Sequence, residues 1–95
     1  MKWTVSPAVV WSDGAGEVQL YDTTAGEFQT LNVTAAAIWR HLVDRGERDA
    51  IVAGLAEEFG AEDDNQRRLI GTDTDRFIED LAGRGLILAA EPAGD

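Results

Sequence analysis

The spacing of apolar residues changes once along this chain, at Asn32, and that change restricts the folds it can adopt. Before Asn32, apolar and polar residues alternate, as in Val18-Gln19-Leu20, which is the period of a strand with one buried face. After Asn32, apolar residues recur every three or four positions, which is the period of a helix. We therefore expect an α+β fold in which an antiparallel sheet is followed by helices.

Three strands are expected in the first third of the chain. The first runs from Trp3 through Trp11 to a hairpin turn at residues 13–16, where two glycines are typical of a tight turn. The second strand is residues 17–22, and a turn rich in threonine and glycine separates it from the third strand, residues 27–31. Short connections between strands favour an antiparallel meander.

The first two helices follow directly, and each is predicted to end at a glycine. Asn32 or Thr34 caps the first helix, and Gly46 and Gly60 end the first and second helices. The apolar positions of each helix form one stripe that points to a common core. The stripes are Ala35, Ile38, Trp39, Leu42 and Val43 in the first helix, and Ile51, Val52, Leu55, Ala56 and Phe59 in the second.

The third helix is predicted to begin late. Residues 61–71 are charged and lack clear periodicity, so we expect a loop there, with at most a partial helical turn. Thr72 or Asp73 then caps a helix that two glycines stop. Its buried stripe is Phe77, Ile78, Leu81 and Ala82. The apolar run at residues 86–88 either adds a final strand or plugs the core, and residues 91–95 form a frayed tail.

The composition argues against several classes of function. The formal charge is -10, and an acidic surface repels phosphate backbones, so nucleic acid is a poor partner. The absence of cysteine excludes a disulfide framework and a thiolate metal site. The single histidine, His41, has no evident catalytic partner, and the acidic run at residues 62–64 lacks the ligand spacing of a calcium loop. We therefore expect no catalytic group, no metal and no cofactor, and hence no enzyme.

The length of the chain suits one domain. With 95 residues and 44% apolar content it can fill one modest core, so residues 1–95 are interpreted as a single domain. It contains no apolar run of about 18 residues and no apolar segment behind a basic amino terminus. These patterns predict neither a membrane span nor a secretory signal, and they favour a cytoplasmic protein.

The order and spacing of these segments resemble the PqqD-like family of precursor-peptide recognition elements. The resemblance covers about residues 8–90, and the combination of its motifs is more specific than any one of them. The motifs are Leu20-Tyr21-Asp22, Gly26 before Phe28, the Leu31-Asn32-Val33-Thr34 junction, Ala37-Ile38-Trp39 with Leu42, a second helix through Ile51, Leu55, Ala56 and Phe59, and a third through Phe77, Leu81 and Gly85-Leu86.

The resemblance implies a winged-helix-like fold, with a three-stranded antiparallel sheet followed by three helices. It also implies that the leader region of a ribosomally made precursor peptide binds as an added strand on the third strand, in the groove beside the third helix. Free-standing members of this length are similar to those of lasso-peptide biosynthesis, where the leader is handed to a cysteine-type leader peptidase before a cyclase closes the ring. An adaptor for a radical S-adenosylmethionine enzyme that modifies a peptide is the alternative within the family.

The third strand is the last of the meander, so one side of its backbone is open to another chain unless residues 86–88 cover it. The candidates for lining the groove are Glu27, Phe28, Gln29, Thr30 and Leu31 on the strand, and Asp73, Arg76, Phe77, Asp80, Leu81 and Arg84 on the third helix. If the two apolar residues of this helix belong to the core, the groove is lined instead by its charged residues, which are three to four apart and share one face. Both arrangements are consistent with the sequence.

Three other possibilities stay open at this point. The order of elements also suits a winged-helix DNA-binding regulator, but residues 72–80 of the third helix present four carboxylates against one arginine. A structural interaction domain, similar to an antitoxin, is a further alternative. Two copies of the chain could also pair through residues 27–31 and form a homodimer at the sheet edge.

Overall fold

The computed structural model of this chain describes residues 2–14 and 16–90. The fold of these residues is α+β, as the sequence predicts, with an antiparallel sheet followed by three helices. The elements are β1 (Lys2–Val5), β2 (Val9–Gly14), β3 (Glu17–Asp22), β4 (Glu27–Leu31), α1 (Val33–Arg45), α2 (Arg48–Glu58), α3 (Asp64–Gly83) and β5 (Ile87–Ala90). The predicted tail at 91–95 and Ala15 of the first hairpin turn lie outside the described residues.

The main sheet consists of β2, β3 and β4, in that order, with antiparallel pairing throughout. Val18 and Leu20 are buried on the face toward the helices, which confirms the alternation in the sequence. The Asp22 carboxylate holds the turn between β3 and β4, because it accepts hydrogen bonds from the backbone N–H groups of Thr24 at 2.9 Å and Ala25 at 3.2 Å.

The first predicted strand is in fact two strands. Pro7 has no backbone N–H, and a turn in which the Val9 N–H donates to the Ser6 carbonyl at 3.0 Å separates β1 from β2. β1 pairs instead with β5 in a second, two-stranded antiparallel sheet. The carboxyl-terminal apolar run therefore does form a strand, and that strand lies on β1 and not on β4.

Asn32, rather than Thr34, caps α1, because its side-chain oxygen accepts a hydrogen bond from a backbone N–H of the first turn at 2.9 Å. The helix ends at Gly46, whose φ of 81° strains any residue with a Cβ. Trp39 in the middle of α1 is fully buried and meets Trp11 of β2 edge to face, with ring centroids 5.8 Å apart. This contact attaches α1 to the inner face of the main sheet.

The second helix is confirmed as α2, but the apolar stripes of α1 and α2 are shorter than predicted. Val43, near the end of α1, is 42% exposed, and Phe59, directly after α2, is 50% exposed. Phe59 occupies the cap position of α2 and lines a cavity instead of the core. Gly60 follows with a φ of 67°, which ends the helix as expected.

The third helix is longer than the sequence predicts. It begins at Asp64, so the loop predicted for residues 61–71 is wrong from that residue onward. Asp63 is its cap, because the Asp63 carboxylate accepts a hydrogen bond from the Gln66 N–H at 2.7 Å. The helix continues through both predicted cap positions, and the hydroxyl of Thr72 donates to the carbonyl one turn earlier at 3.0 Å.

The first half of α3 lacks apolar periodicity because small residues make its closest contacts. Gly71 and Thr74 are buried there, and neither contributes to a hydrophobic pattern. A Cβ added at Gly71 would lie 2.8 Å from the Nη2 atom of Arg48, so the end of this side chain from α2 would have to shift to make room for it. Close packing at small residues therefore replaces the apolar stripe that sequence analysis searches for.

Side chains from both sheets and all three helices meet in one buried apolar cluster. Two bidentate ion pairs join elements at its rim: Arg40 of α1 with Asp13 of β2, at 2.7 Å for both bonds, and Arg48 of α2 with Asp75 of α3, at 2.8 and 3.0 Å. The hydrogen bonds from Arg40 hold the pKa of Asp13 below its ordinary value of 3.8, and those to Asp75 and to the neighbouring Asp49 raise the pKa of Arg48. The pairs orient the helices against the sheet and against each other.

Candidate functional site: the edge of β4 and the groove beside it

β4 is an edge strand in the part of the chain that the structure describes. Its one sheet neighbour there is β3, since β5 pairs with β1. Alternate N–H and C=O groups of an edge strand point away from the sheet and are available to another chain. β4 contains no lysine or proline, the residues that proteins commonly use to prevent such pairing.

A cavity of about 250 Å³ lies beside this edge, and we call it the β4 groove. It is bounded by β3, β4, the turn between them and the carboxyl end of α3. The lining residues are Leu20, Asp22, Ala25, Glu27, Phe28, Gln29, Arg84 and Leu86. Leu20 and Leu86 are buried and supply apolar surface, whereas Glu27 and Arg84 are exposed and carry opposite charges. The groove therefore combines apolar surface with two carboxylates, Asp22 and Glu27, and one guanidinium, Arg84.

Gln29 lines the β4 groove. It pairs with Leu20 across the sheet, so both side chains point toward the helices. The Gln29 side-chain oxygen is buried and has no hydrogen-bond partner among the described residues. A buried acceptor without a partner costs about 1–3 kcal/mol, and a donor on a molecule bound in the groove would remove that cost.

Arg84 directly follows α3 and lines the same groove. Its guanidinium donates to the Asp80 carboxylate at 3.0 Å, which is its one hydrogen bond to the described residues. A guanidinium carries five N–H donors in a planar fork, so most of them remain for carbonyl or carboxylate oxygens of a ligand. The contact with Asp80 orients the Arg84 side chain for hydrogen bonding to a ligand.

The other predicted residues of α3 divide between the core and the surface. Leu81 is fully buried, and Phe77 is half-buried against the core. Asp73, Arg76 and Asp80 are exposed. The apolar residues therefore belong to the core or pack against it, but none of these five residues lines the β4 groove, and Asp73 lines a different cavity. Which face of α3 contacts a ligand stays a prediction.

The residues of β4 alternate between two faces. Leu31 is 2% exposed and belongs to the core, and Gln29 points to the same side. Phe28, which is 79% exposed, and Thr30 point away from the helices. The Phe28 ring packs on Tyr21 of β3, with centroids 4.4 Å apart. The backbone of β4 thus separates an inner, groove-lining set of side chains from an outer set.

A second cavity, of about 200 Å³, was not predicted from the sequence. It lies between α1, the end of α2 and the middle of α3, and it is mainly apolar. Its lining residues are Thr34, Ile38, Leu55, Phe59, Ile70, Asp73 and Thr74. Thr74 is fully buried, and its hydroxyl has no partner within the described residues. Sequence analysis does not reveal this cavity, because it places Ile70 in a loop and Phe59 in the core.

His41 has a carboxylate partner in the structure that the sequence does not predict. His41 Nε2 lies 2.8 Å from Glu58 Oε1, and its ring packs closely over Gly54. No set of three or more His, Cys, Asp and Glu side chains in residues 2–14 and 16–90 is placed to bind a metal ion. Of the helices described, none is long and apolar enough to cross a membrane.

Comparison with known protein families gives the relationship of this chain to other proteins. The model of the family described as coenzyme PQQ synthesis protein D (PqqD) matches residues 17–87, which is most of the chain. The chain belongs to the PqqD family. The resemblance noted in the sequence motifs is thereby confirmed, and the match includes β3, β4, all three helices and the start of β5.

Two solved structures share this PqqD-like fold over nearly the whole chain. One is TbiB1 in complex with the TbiA(beta) leader peptide, at 26% sequence identity and a TM-score of 0.79, covering 97% of this chain and 100% of that one. Another is lasso peptide synthetase B1 complexed with the leader peptide, at 24% identity and a TM-score of 0.77, covering 94% of this chain and 100% of that one. A search of curated protein sequences found no significant match. The likeness to TbiB1 confirms the α+β, winged-helix-like class of the fold.

Proposed function

We propose that this PqqD family protein is a non-catalytic, single-domain adaptor that binds the leader region of a ribosomally synthesised precursor peptide in the cytoplasm. It delivers the leader to a leader peptidase or another modifying enzyme. The observation that carries the proposal is the edge of β4, which is unpaired within the described residues and bordered by the β4 groove. Lasso-peptide biosynthesis is the favoured pathway, because both similar structures hold leader peptides and one of them is a lasso peptide synthetase B1.

The leader binds as a strand added to β4. Main-chain hydrogen bonds to the edge of β4 supply affinity for any extended peptide, and alternate side chains of the leader enter the groove or face outward. This division suits an adaptor, since the strand fixes the register of the leader while the groove selects its sequence.

A small set of side chains in the groove recognises the leader. Gln29 accepts a hydrogen bond from a donor on the leader, and Arg84 donates to its carbonyl or carboxylate oxygens. Leu20 and Leu86 accommodate an apolar side chain. The remaining contacts come from exposed residues of β4 and α3, and Leu31, Phe77 and Leu81 act through the core that supports these two elements. These exposed residues are Glu27, Phe28, Thr30, Asp73, Arg76 and Asp80.

A free leader of this kind is disordered and becomes ordered on binding. Part of the contact energy is therefore lost to conformational entropy, and an affinity in the nanomolar to micromolar range is expected. Moderate affinity suits an adaptor, because the leader must be released after the enzyme has acted.

A second candidate stays within the family, as an adaptor for a radical S-adenosylmethionine enzyme. The observation that favours it is the family match itself, whose description is of a protein of coenzyme PQQ synthesis. The two candidates share the same site and differ in the enzyme that receives the leader. Binding assays with leaders from each class of pathway separate them.

The test uses backbone-methylated leaders, so that the protein itself stays unchanged. A synthetic leader, taken from the precursor gene beside this gene, is labelled, and its backbone N–H groups are methylated one at a time. In an added strand only alternate N–H groups point to β4. We expect methylation at alternate positions to weaken binding about tenfold or more in fluorescence anisotropy, with little effect at the positions between them.

Methylation outside the bound segment is the matched control and leaves affinity unchanged. A leader that binds without this period-two pattern would exclude strand addition. Failure of the protein to bind any leader encoded nearby would remove the proposal altogether.

A further inference from the structure

We propose that the outer face of the main sheet docks the protein that receives the leader, and that this partner presents an apolar patch bordered by basic residues. We define the outer face by two cross-strand rows, Val10, Tyr21 and Phe28, and Ser12, Gln19 and Thr30. The inference rests on the proposed function, since it assumes that the chain carries a leader. It assigns a second binding surface, which adjoins the β4 groove at Phe28.

The first row is apolar and continuous. Val10 pairs with Tyr21, and Tyr21 pairs with Phe28, so the three side chains lie next to one another on β2, β3 and β4. Val10, the second residue of β2, is 60% exposed, and Phe28 is more exposed still. Exposed apolar side chains that adjoin across three strands are typical of an interaction surface.

The second row is polar but carries no charge. The chain has 8 basic and 18 acidic side chains among 95 residues, yet none of them occupies the six positions of these two rows; the first charge on this side of the sheet is Glu17, in the next row, opposite Gly14. Aromatic enrichment together with a lack of charge is the composition of the centre of a protein interface. The outer face therefore has the character of a docking surface rather than of ordinary solvated surface.

The charge around the outer face indicates the kind of partner. Glu17 is exposed and lies on the same side of β3 as Gln19 and Tyr21, in the row directly beside the outer face. With a formal charge of -10, two copies of this chain repel each other, whereas a basic surface is attracted. A different protein with a basic rim is thus favoured over a second copy as the occupant.

A leader on β4 leaves the outer face open. Hydrogen bonds to an added strand lie in the plane of the sheet, whereas side chains project perpendicular to that plane. The backbones of Phe28 and Thr30 belong to the edge, and their side chains belong to the outer face. A partner docked there touches the adaptor and the outward side chains of the leader together, so it is placed beside the peptide it must process.

The test measures how tightly the leader-processing enzyme encoded beside this gene binds the preformed complex of adaptor and labelled leader. Val10 lies on β2, at the side of the sheet away from β4, and does not line the β4 groove. The control residue Leu69 is 58% exposed on α3. We expect Val10→Lys to weaken enzyme binding at least tenfold and to leave leader binding unchanged, and Leu69→Lys to change enzyme binding less than twofold.

Several results would overturn this inference. The docking surface is refuted if the enzyme binds Val10→Lys and the wild type equally, or if it does not bind the wild-type complex at all. Neither result affects the proposal that the chain binds a leader. If the affinity of the wild type for the enzyme does not decrease when the salt concentration is raised from about 0.05 to 0.5 M, the prediction of a basic partner is wrong. Self-association of the wild type in sedimentation, lost in Val10→Lys, would assign the face to a second copy. Failure of the wild type to bind a leader is a separate result, which concerns the proposed function alone.

Discussion

At the scale of single residues, neighbours on the same face of β4 have different roles. Gln29 and Leu31 both point toward the helices, but Leu31 is buried in the core, whereas Gln29 lines a cavity and its oxygen has no partner among the described residues. Alternation in the sequence places both residues on one face. Alternation does not show which of the two side chains is buried in the core, because burial depends on the residues packed against each one. Beside Gln29 these residues are Arg84 and Leu86, which are distant in sequence.

Replacing Gln29 by leucine tests its proposed role in the groove. We expect Gln29→Leu to weaken leader binding about five- to tenfold, because the leader donor then faces an apolar side chain. The free energy of unfolding should stay equal or rise, since the native oxygen has no partner to lose. Anisotropy and urea denaturation measure the two quantities. The control, Asn65→Leu at an exposed position of α3, should leave leader binding unchanged, and equal binding by both variants would exclude the role of Gln29.

The ion pair between Asp13 and Arg40 predicts a pH-dependent contribution to stability. Arg40 lowers the pKa of Asp13 in the folded state, mainly through its hydrogen bonds. The stabilisation is therefore fully present above the ordinary value of 3.8 and is lost as the pH falls through the lower, folded-state pKa. We expect Asp13→Asn to reduce the free energy of unfolding at pH 7, and the deficit to shrink as the pH falls below 3.8.

Denaturant unfolding across this pH range measures the effect. Glu79→Gln is the control, because Glu79 is exposed and makes no ion pair with the described residues. An Asp13→Asn deficit that is the same at pH 3 and pH 7 would contradict the role of the ion pair.

At the scale of elements, the strands and helices with regular apolar patterns were predictable and α3 was only partly so. β3, β4 and α1 follow from alternation, a helical stripe and the Asn32 cap, which are local signals. The first half of α3 is stabilised by the Asp63 cap and by the close approach of Arg48 to Gly71. The second of these contacts involves a distant part of the chain, so no local pattern reveals it.

The buried hydroxyl of Thr74 in α3 is expected to lower the free energy of unfolding. Its hydroxyl is fully buried beside the second cavity and has no partner within the described residues. Valine has nearly the same shape without the hydroxyl, so Thr74→Val is expected to raise the free energy of unfolding by about 1 kcal/mol. Thr74→Ser keeps the hydroxyl and deletes a methyl group, and it should lower the free energy of unfolding by about 1 kcal/mol. Both are measured by denaturant unfolding, and destabilisation by valine would mean that the hydroxyl has a partner.

At the scale of the whole molecule, the pairing of β1 with β5 connects the first and last elements of the described chain. It joins residues from opposite ends of the chain, such as Val5 and Ile87. Sequence patterns predicted both segments but not their partnership, because pairing over such a separation leaves no periodic signal. The consequence for the site is direct, since a β5 strand on β4 would have covered the proposed binding edge.

Removal of residues 1–6 separates stability from leader binding. β1 covers Ile87, which is 1% exposed, and contributes the half-buried side chains of Trp3 and Val5. We expect the deletion to lower the free energy of unfolding by roughly 2–4 kcal/mol, whereas the folded fraction binds the leader with unchanged affinity. Removal of Met1 alone is the control. Thermal unfolding and anisotropy are the measurements, and loss of leader binding by a folded variant would place part of the site on β1.

The same sheet also determines how a second protein can be attached to this one. Lys2 pairs with Ala90, so the two ends of the described chain leave the fold side by side. A protein fused through a short linker to either end would be tethered to nearly the same point and would have nearly the same reach. The order in which an adaptor and an enzyme are fused in one polypeptide therefore has little influence on how close the enzyme is held.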